Sequence, residues 1–399
     1  MPLESQNPVP SQAPHQLAGR LAAFYGAVFG LVGTHLPFFP VWLAAIGLEP
    51  GWIGVIVAVP SLTRFTVLPF VTHGVERYAA LHRALIAIAF LTALGFFVLG
   101  VARLPLLVLA IYIATACVWT PMVPLADAYA LKAVQRYRLD FGPVRLWGSA
   151  AFVAGALACG ALVEWIAPVH LIWVIAGTAL LGALVSLGLR PLDPVGTKSG
   201  DAPRPAIRAG ALLRHRGFLA VIAAAALIQG SHAAYYTFAS IAWRGEGFGG
   251  LTIAGLWALG VIAEIVLFAW SPRLPWSPAA LIVIGAAAGV LRWSVTALEP
   301  PLASLALVQL LHGLTFGATL LGTMGLLSRL VPGQIMASAQ GLLVAATGGV
   351  SSAAAVLTGL VYAQWGASVY FLMAVMAGLG GVLLLAANDK LGVPVDAAP

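Results

Sequence analysis

The chain has 399 residues, 61% of them hydrophobic and only 8% charged, with a mean hydropathy of +0.98. A soluble protein carries about 25% charged residues, so this chain cannot clothe a water-facing surface, and an all-α membrane protein is expected. The net charge of +7 sits in loops without a basic groove, which fits membrane topology and argues against a nucleic-acid partner.

The chain opens MPLESQNPVPSQAPHQ, polar and proline-rich. With no basic start and no apolar core, residues 1–17 read as a disordered cytoplasmic tail, not a signal peptide. A spanning helix needs about 20 apolar residues. On that ruler twelve spans follow: 18–45, 51–72, 79–101, 104–131, 143–166, 168–190, 214–243, 251–270, 275–297, 301–330, 334–362 and 366–387. Their boundaries are least secure near Pro37 and Pro40, near Pro121 and Pro124, and from Gly313 to Gly325. Cys117 and Cys159 fall inside spans, so no disulfide framework is implied.

The stretch 191–213, PLDPVGTKSGDAPRPAIRAGALL, is rich in Pro, Gly and charge. It reads as a flexible cytoplasmic linker between a six-helix bundle at 18–190 and a second at 214–388, with a tail at 389–399. Orientation follows from Lys and Arg in short loops. With the N-terminus inside, the inner flanks hold Arg20, Arg77, Arg83, Lys132, Arg136, Arg138, Arg190, Lys198, Arg204, Arg208, Arg214, Arg216, Arg273, Arg329 and Lys390. The outer flanks hold Arg103 and Arg244. An even number of spans puts both termini inside.

The halves form a weak repeat. GLEPGWIG (47–54) opens the second span and GFGGLTIAG (247–255) the eighth; GALVEW (160–165) closes the fifth and GLVYAQW (359–365) the eleventh. Two six-helix pseudo-repeats joined by a cytoplasmic loop are the major facilitator layout, with its site at the midplane between halves. Small residues crowd the fifth and eleventh spans, which permits close backbone approach and says nothing about substrate.

Five charges remain inside spans: Arg64, Asp127, Arg145, Glu264 and Arg292. Each costs at least ~2.5–3.5 kcal/mol in hydrocarbon, so it faces a wet path or a partner. Plainer explanations exist. Arg64 lies about 12 Å from the inner end and could snorkel. Asp127 could pair with Lys132, Arg145 could anchor at the interface, and Arg292 with Trp293 is an ordinary anchoring pair. Glu264 has a short side chain and no such escape. His312 is either a satisfied core imidazole or a titrating group beside a carboxylate. His232 shares a helix face with Gln229 and Tyr235. Trp119, Tyr235, Tyr236 and Phe316 offer ring surfaces for packing or for solute.

The corner PLADA…LDFGPVRLWGSAAFV, with QGSHAAYYTF and LLHGLTFG, resembles the phenylpropionic acid transporter branch of the major facilitator superfamily, related to oligosaccharide/proton symporters of the lactose permease type. The likeness covers nearly all of 18–387. It implies that Asp127 and Arg145 match the acid and arginine that grip substrate in the fourth and fifth helices. Glu264 matches the eighth-helix substrate acid, and Arg292 and His312 match members of the proton-coupling cluster. The chain departs from the pattern at Thr315, where that family has a glutamate. It also lacks a buried acid–lysine pair across the seventh and eleventh helices. The loop signature THGVERYAALHR (72–83) is degenerate but keeps Glu76 and Arg77.

The resemblance implies a monomeric secondary transporter in a bacterial inner membrane that needs no cofactor or metal. Its partners are a small-molecule substrate, protons and the lipid bilayer. The expected activity is proton-coupled symport by alternating access. Glu264 or Asp127, with His312 and Arg292, handles the proton. Asp127, Arg145, Glu264, Trp119, Tyr235, Tyr236, His232 and Arg64 contact solute. An aromatic carboxylate such as phenylpropionate would set its acid group on Arg64, Arg145 or Arg292. A sugar or nucleoside would instead give hydroxyl protons to Asp127, Glu264 and His312. An exporter of the same fold is the other transport alternative. No HExxH, GxSxG or Cys/His cluster supports an enzyme.

Overall fold

The computed structural model describes residues 13–77, 80–137, 141–192, 209–332, 335–392 and 395. Every long regular element within them is a helix. The expected tail at 1–17 and linker at 191–213 lie largely outside these residues. The first half holds α1 (Ala13–Ala45), α2 (Pro50–Thr66), α3 (Leu68–Arg77), α4 (Leu81–Leu99), α5 (Pro105–Trp119), α6 (Met122–Tyr137), α7 (Phe141–Val163) and α8 (Leu171–Ser186). The second holds α9 (Arg216–Gly230), α10 (Ala233–Gly245), α11 (Gly250–Trp270), α12 (Pro278–Thr296), α13 (Leu302–Leu310), a π turn (Gly313–Ala318), α14 (Thr319–Leu330), α15 (Met336–Trp365) and α16 (Val369–Ala386).

Starts are marked chemically. Proline opens α2, α5 and α12, where its missing N–H is no loss. The Ser277 hydroxyl accepts from Ala280 N at 3.2 Å, and His215 Nδ1 accepts from Phe218 N at 3.0 Å to cap α9.

By length and apolarity alone, nine segments among the described residues can cross a membrane, or ten with the bent pair α2/α3 counted as one. One of the nine, Met336–Ala386, contains both α15 and α16, and the apolar part of α7, Trp147–Val163, is shorter than the rest. The breaks are informative. α2 and α3 meet at 44° around Val67. The chain also breaks at Thr120–Pro121, at Ser231–His232 and at Leu311–His312. α1, by contrast, runs through Pro37 and Pro40 without interruption.

The repeat is visible in the turns. Gly47 has φ 85° and Gly247 φ 88°. Leu48 N bonds Leu43 O at 3.2 Å, and Phe248 N bonds Trp243 O at 3.0 Å. Both are the left-handed C-terminal cap that glycine permits, 200 residues apart, as the paired GLEPGWIG and GFGGLTIAG predict.

The seam between halves is closed at one end. At the end carrying the 46–49 and 246–249 loops, a Cβ on Gly54 would lie 2.5 Å from Ala355 O, and one on Gly160 would lie 2.5 Å from Gly250 O. α2 thus packs on α15, and α7 on α11, backbone to backbone. One buried cluster runs from Leu17 through the first half into Ala233–Trp257, Ala354 and Val369–Ala377 of the second. At the opposite, linker end the second half keeps a separate core, including Phe218, Ile282, Leu326 and Leu343. There α6 and α14 make their substantial contacts within their own halves. Leu391 and Val395, expected in a tail at 389–399, are buried in that second core.

Candidate functional site

The second half builds its polar cluster around Arg292. Read as a possible interfacial anchor, this arginine is in fact fully buried. Its Nη2 donates to Gln309 Oε1 at 2.7 Å, and its Nη1 meets His312 Nδ1 at 2.9 Å and Thr315 Oγ1 at 3.3 Å. The guanidinium lies over Tyr235 at 4.6 Å and over Trp293 at 4.4 Å, so its charge is met by π faces as well as acceptors. Guanidinium cannot accept a hydrogen bond. Nδ1 of His312 is therefore the lone-pair nitrogen and its ring proton sits on Nε2. That nitrogen faces Glu264 Oε2 at 3.8 Å.

The π turn supplies the geometry. Gly313–Ala318 adds backbone to the turn after His312, which lets His312 and Thr315 both address Arg292. Such turns recur at functional sites. Thr315 stands where the resembled family has a glutamate, and its hydroxyl also meets His232 Nε2 at 3.0 Å. His232 Nδ1 is 3.1 Å from both Ile228 O and Gln229 O. With both nitrogens engaged and no exposed surface, His232 is not placed to touch solute. Tyr235, buried under Arg292, is not either. Both were expected at the substrate; in this structure they are buried against Thr315 and Arg292.

In the first half Asp127 is half-buried and accepts from Tyr25 Oη at 2.5 Å. Tyr25 was missed by sequence reading, although a phenol in the middle of an apolar helix signals a need for a partner. The break at Thr120–Pro121 holds α5 to α2 through Thr63 Oγ1 and Thr120 Oγ1 at 2.7 Å. Trp119, half-buried, packs edge-on to His35 at 4.4 Å and to Phe96 at 5.6 Å. His35 itself meets Tyr112 Oη at 3.0 Å. The Arg145 side chain lies outside the described residues.

Two groups bring the halves together. Arg64 is exposed and lies within electrostatic reach of Tyr236 in the other half. Tyr236, half-buried on α10, is within electrostatic reach of Arg64 from the other half and of Glu264 and Arg292 from its own. Glu264 retains 23% of its side-chain surface. A mostly apolar groove of about 280 Å³ lies between α11 and α13, lined by residues such as Ala263, Leu267, Trp270 and Leu310 and by none of the charged groups named above.

Residues 19–373 match the MFS_1 like family model. The chain belongs to that family. It is 32% identical over 364 residues to a probable 3-phenylpropionic acid transporter of Escherichia coli (strain K12), covering 90% of this chain and 94% of that one. It is 25% identical to a maltose permease of Geobacillus stearothermophilus over 91% and 92% of the two chains. The crystal structure of nucleoside transporter NupG superposes with a TM-score of 0.80 at 15% identity, over 94% of this chain and 98% of that one. The protein is thus a multi-pass integral membrane transporter of the major facilitator type, not an enzyme.

Proposed function

We propose that the protein is a proton-coupled symporter of a small aromatic carboxylate, phenylpropionate or a near relative. Twelve spans in two six-helix halves cross a bacterial inner membrane, both termini are cytoplasmic, and the monomer is the working unit. On this orientation the closed end of the seam faces out and the open end faces the cytoplasm.

One observation carries the reading. Tyr236 shares its electrostatic surroundings with a cation of one half and a half-buried carboxylate of the other. Charges kept at the middle of spans need a wet path or a partner, which supports a shared aqueous site at the seam.

The chemistry follows. A solute carboxylate cannot settle beside an ionised Glu264 in a low-dielectric cleft without strong repulsion. Protonating Glu264 removes that repulsion and favours a seam positive enough to hold the anion. The solute then admits closure over itself, and the halves exchange which end is open. Inside, solute leaves, Glu264 releases its proton to the cytoplasmic water, and His312 Nε2–H faces the new carboxylate. Asp127, held by Tyr25, and Arg145 are the first-half groups assigned to the solute. Trp119 offers its half-buried ring to the solute's ring.

The test is vesicle alkalinisation. Adding 3-phenylpropionate outside vesicles that contain the protein should draw protons in, with uptake rising as the outside is acidified. Uptake indifferent to the pH gradient would overturn symport. The maltose permease relative favours a second reading, a sugar; proton flux on adding maltose but not phenylpropionate would select it.

A further inference from the structure

We infer that Arg64 and Tyr236 form the subsite that holds the solute's carboxylate, and that Arg292 does not. The inference rests on the anionic-solute reading above and makes it specific.

The direction of Arg64 comes from α2 itself. At about 100° per residue, Gly54, Ala58, Ser61 and Phe65 share one face. That face packs on α15: Ser352 Oγ donates to Ala58 O at 3.2 Å, and Gly348 abuts Phe65 and Ser61 O. Thr63, on the far side, is tied to Thr120 of its own half. Two flanks remain open. Leu62, 47% exposed, takes one. Arg64 takes the other, roughly 160° away. The α15-facing side of α2 lies against the second half, Leu62 takes the flank away from it, and Arg64, on the opposite flank, is within electrostatic reach of Tyr236 on α10. An exposed leucine on a spanning helix suits lipid; an exposed arginine suits the cleft.

The two arginines are in opposite conditions. Arg292 has Nη1 and Nη2 committed to His312, Thr315 and Gln309, is sandwiched by two rings, and has no exposed surface. A solute could reach it only by dismantling that network. Arg64 has neither a hydrogen bond nor an ion pair with any described residue, and it is open to the cleft. A planar fork of donors with no acceptor among the described residues matches the geometry of a carboxylate. Tyr236 adds a hydroxyl from the opposite half, so an anion bound between them touches both bundles. Binding there is felt by the seam, and a neutral isostere in the same place would leave Arg64 unanswered.

The test compares 3-phenylpropionate with its uncharged amide, by calorimetry on the purified protein in lipid nanodiscs. Wild type should bind the acid at least tenfold more tightly. In Arg64→Gln that preference should collapse to near unity through loss of acid binding, with amide binding kept as the internal check on folding. Arg64→Lys should retain part of the preference, and Tyr236→Phe should lower acid affinity several-fold with little effect on the amide. Arg64→Gln that still prefers the acid overturns this subsite and leaves the aromatic-acid reading standing. Wild type with no preference for the acid overturns both.

Discussion

Glu164, at the closed end of the seam, offers a measurable handle on the transport cycle. Its Oε1 accepts the backbone N–H of Gly250, the first residue of α11, so a carboxylate of one half caps a helix of the other. A hydrogen bond to a charged acceptor contributes about 1.5–3 kcal/mol, and a neutral one about 0.5–1.5 kcal/mol. A negative charge at a helix N-terminus adds about 0.3–1 kcal/mol. Glu164 is exposed, so water and salt screen the charge, and the lower end applies. Glu164→Gln should therefore cost the closed arrangement about 1 kcal/mol, a roughly fivefold shift toward opening. The assay is a distance distribution between spin labels at Glu49→Cys and Gln364→Cys, in a background lacking Cys117 and Cys159, since these sites flank α2 and α15 at that end. The long-distance population should grow about fivefold at low salt and less at high salt. Unchanged populations would refute the view that this capping bond holds the two halves together.

Other perturbations follow from the same contacts. Gly160→Val puts carbon where Gly250 O and the Ala254 methyl already stand, and the same spin-label pair should report opening larger than that of Glu164→Gln. Arg292→Gln leaves His312, Gln309 and Thr315 without their shared donor; at about 1–3 kcal/mol per stranded buried group, thermal unfolding in detergent should fall by several degrees. Tyr25→Phe removes one donor to Asp127, a bond worth about 1.5–3 kcal/mol, and should lower the melting temperature in detergent by several degrees. Burial and the nearby Glu299 hold the Glu246 carboxyl above its usual range. A carboxyl whose folded pKa is raised helps folding when protonated, and that help is lost as pH rises through the folded pKa. Glu246→Gln should thus raise the melting temperature at neutral pH and leave it unchanged near pH 4.

Much of the bundle was legible in the chain because hydrocarbon imposes a length and excludes charge, and both leave marks in one dimension. The turns at Gly47 and Gly247 announced the repeat for the same reason, since only glycine sits there without strain. The site was legible in its residues more than in their roles. Arg292 beside Trp293 looked like an interface anchor, and only the folded neighbours Gln309 and Tyr235 distinguish an anchored arginine from an entombed one. His232 and Tyr235 sit on a polar helix face, as expected. That face turns toward Arg292, not the cleft, and periodicity carries no information about which neighbour a face meets. Tyr25 and Glu164 were missed because each makes its bond to a partner more than eighty residues away.

The interruptions at Val67, Thr120–Pro121, Ser231–His232 and Leu311–His312 all fall near mid-span, at the level of Arg64, Trp119, Tyr236 and His312. Four spans thus share a local break in helix regularity at a similar depth, and the one at Val67 is bent by 44°. On the alternating-access reading proposed above, such joints would let the limbs on one side swing while those on the other stay clasped.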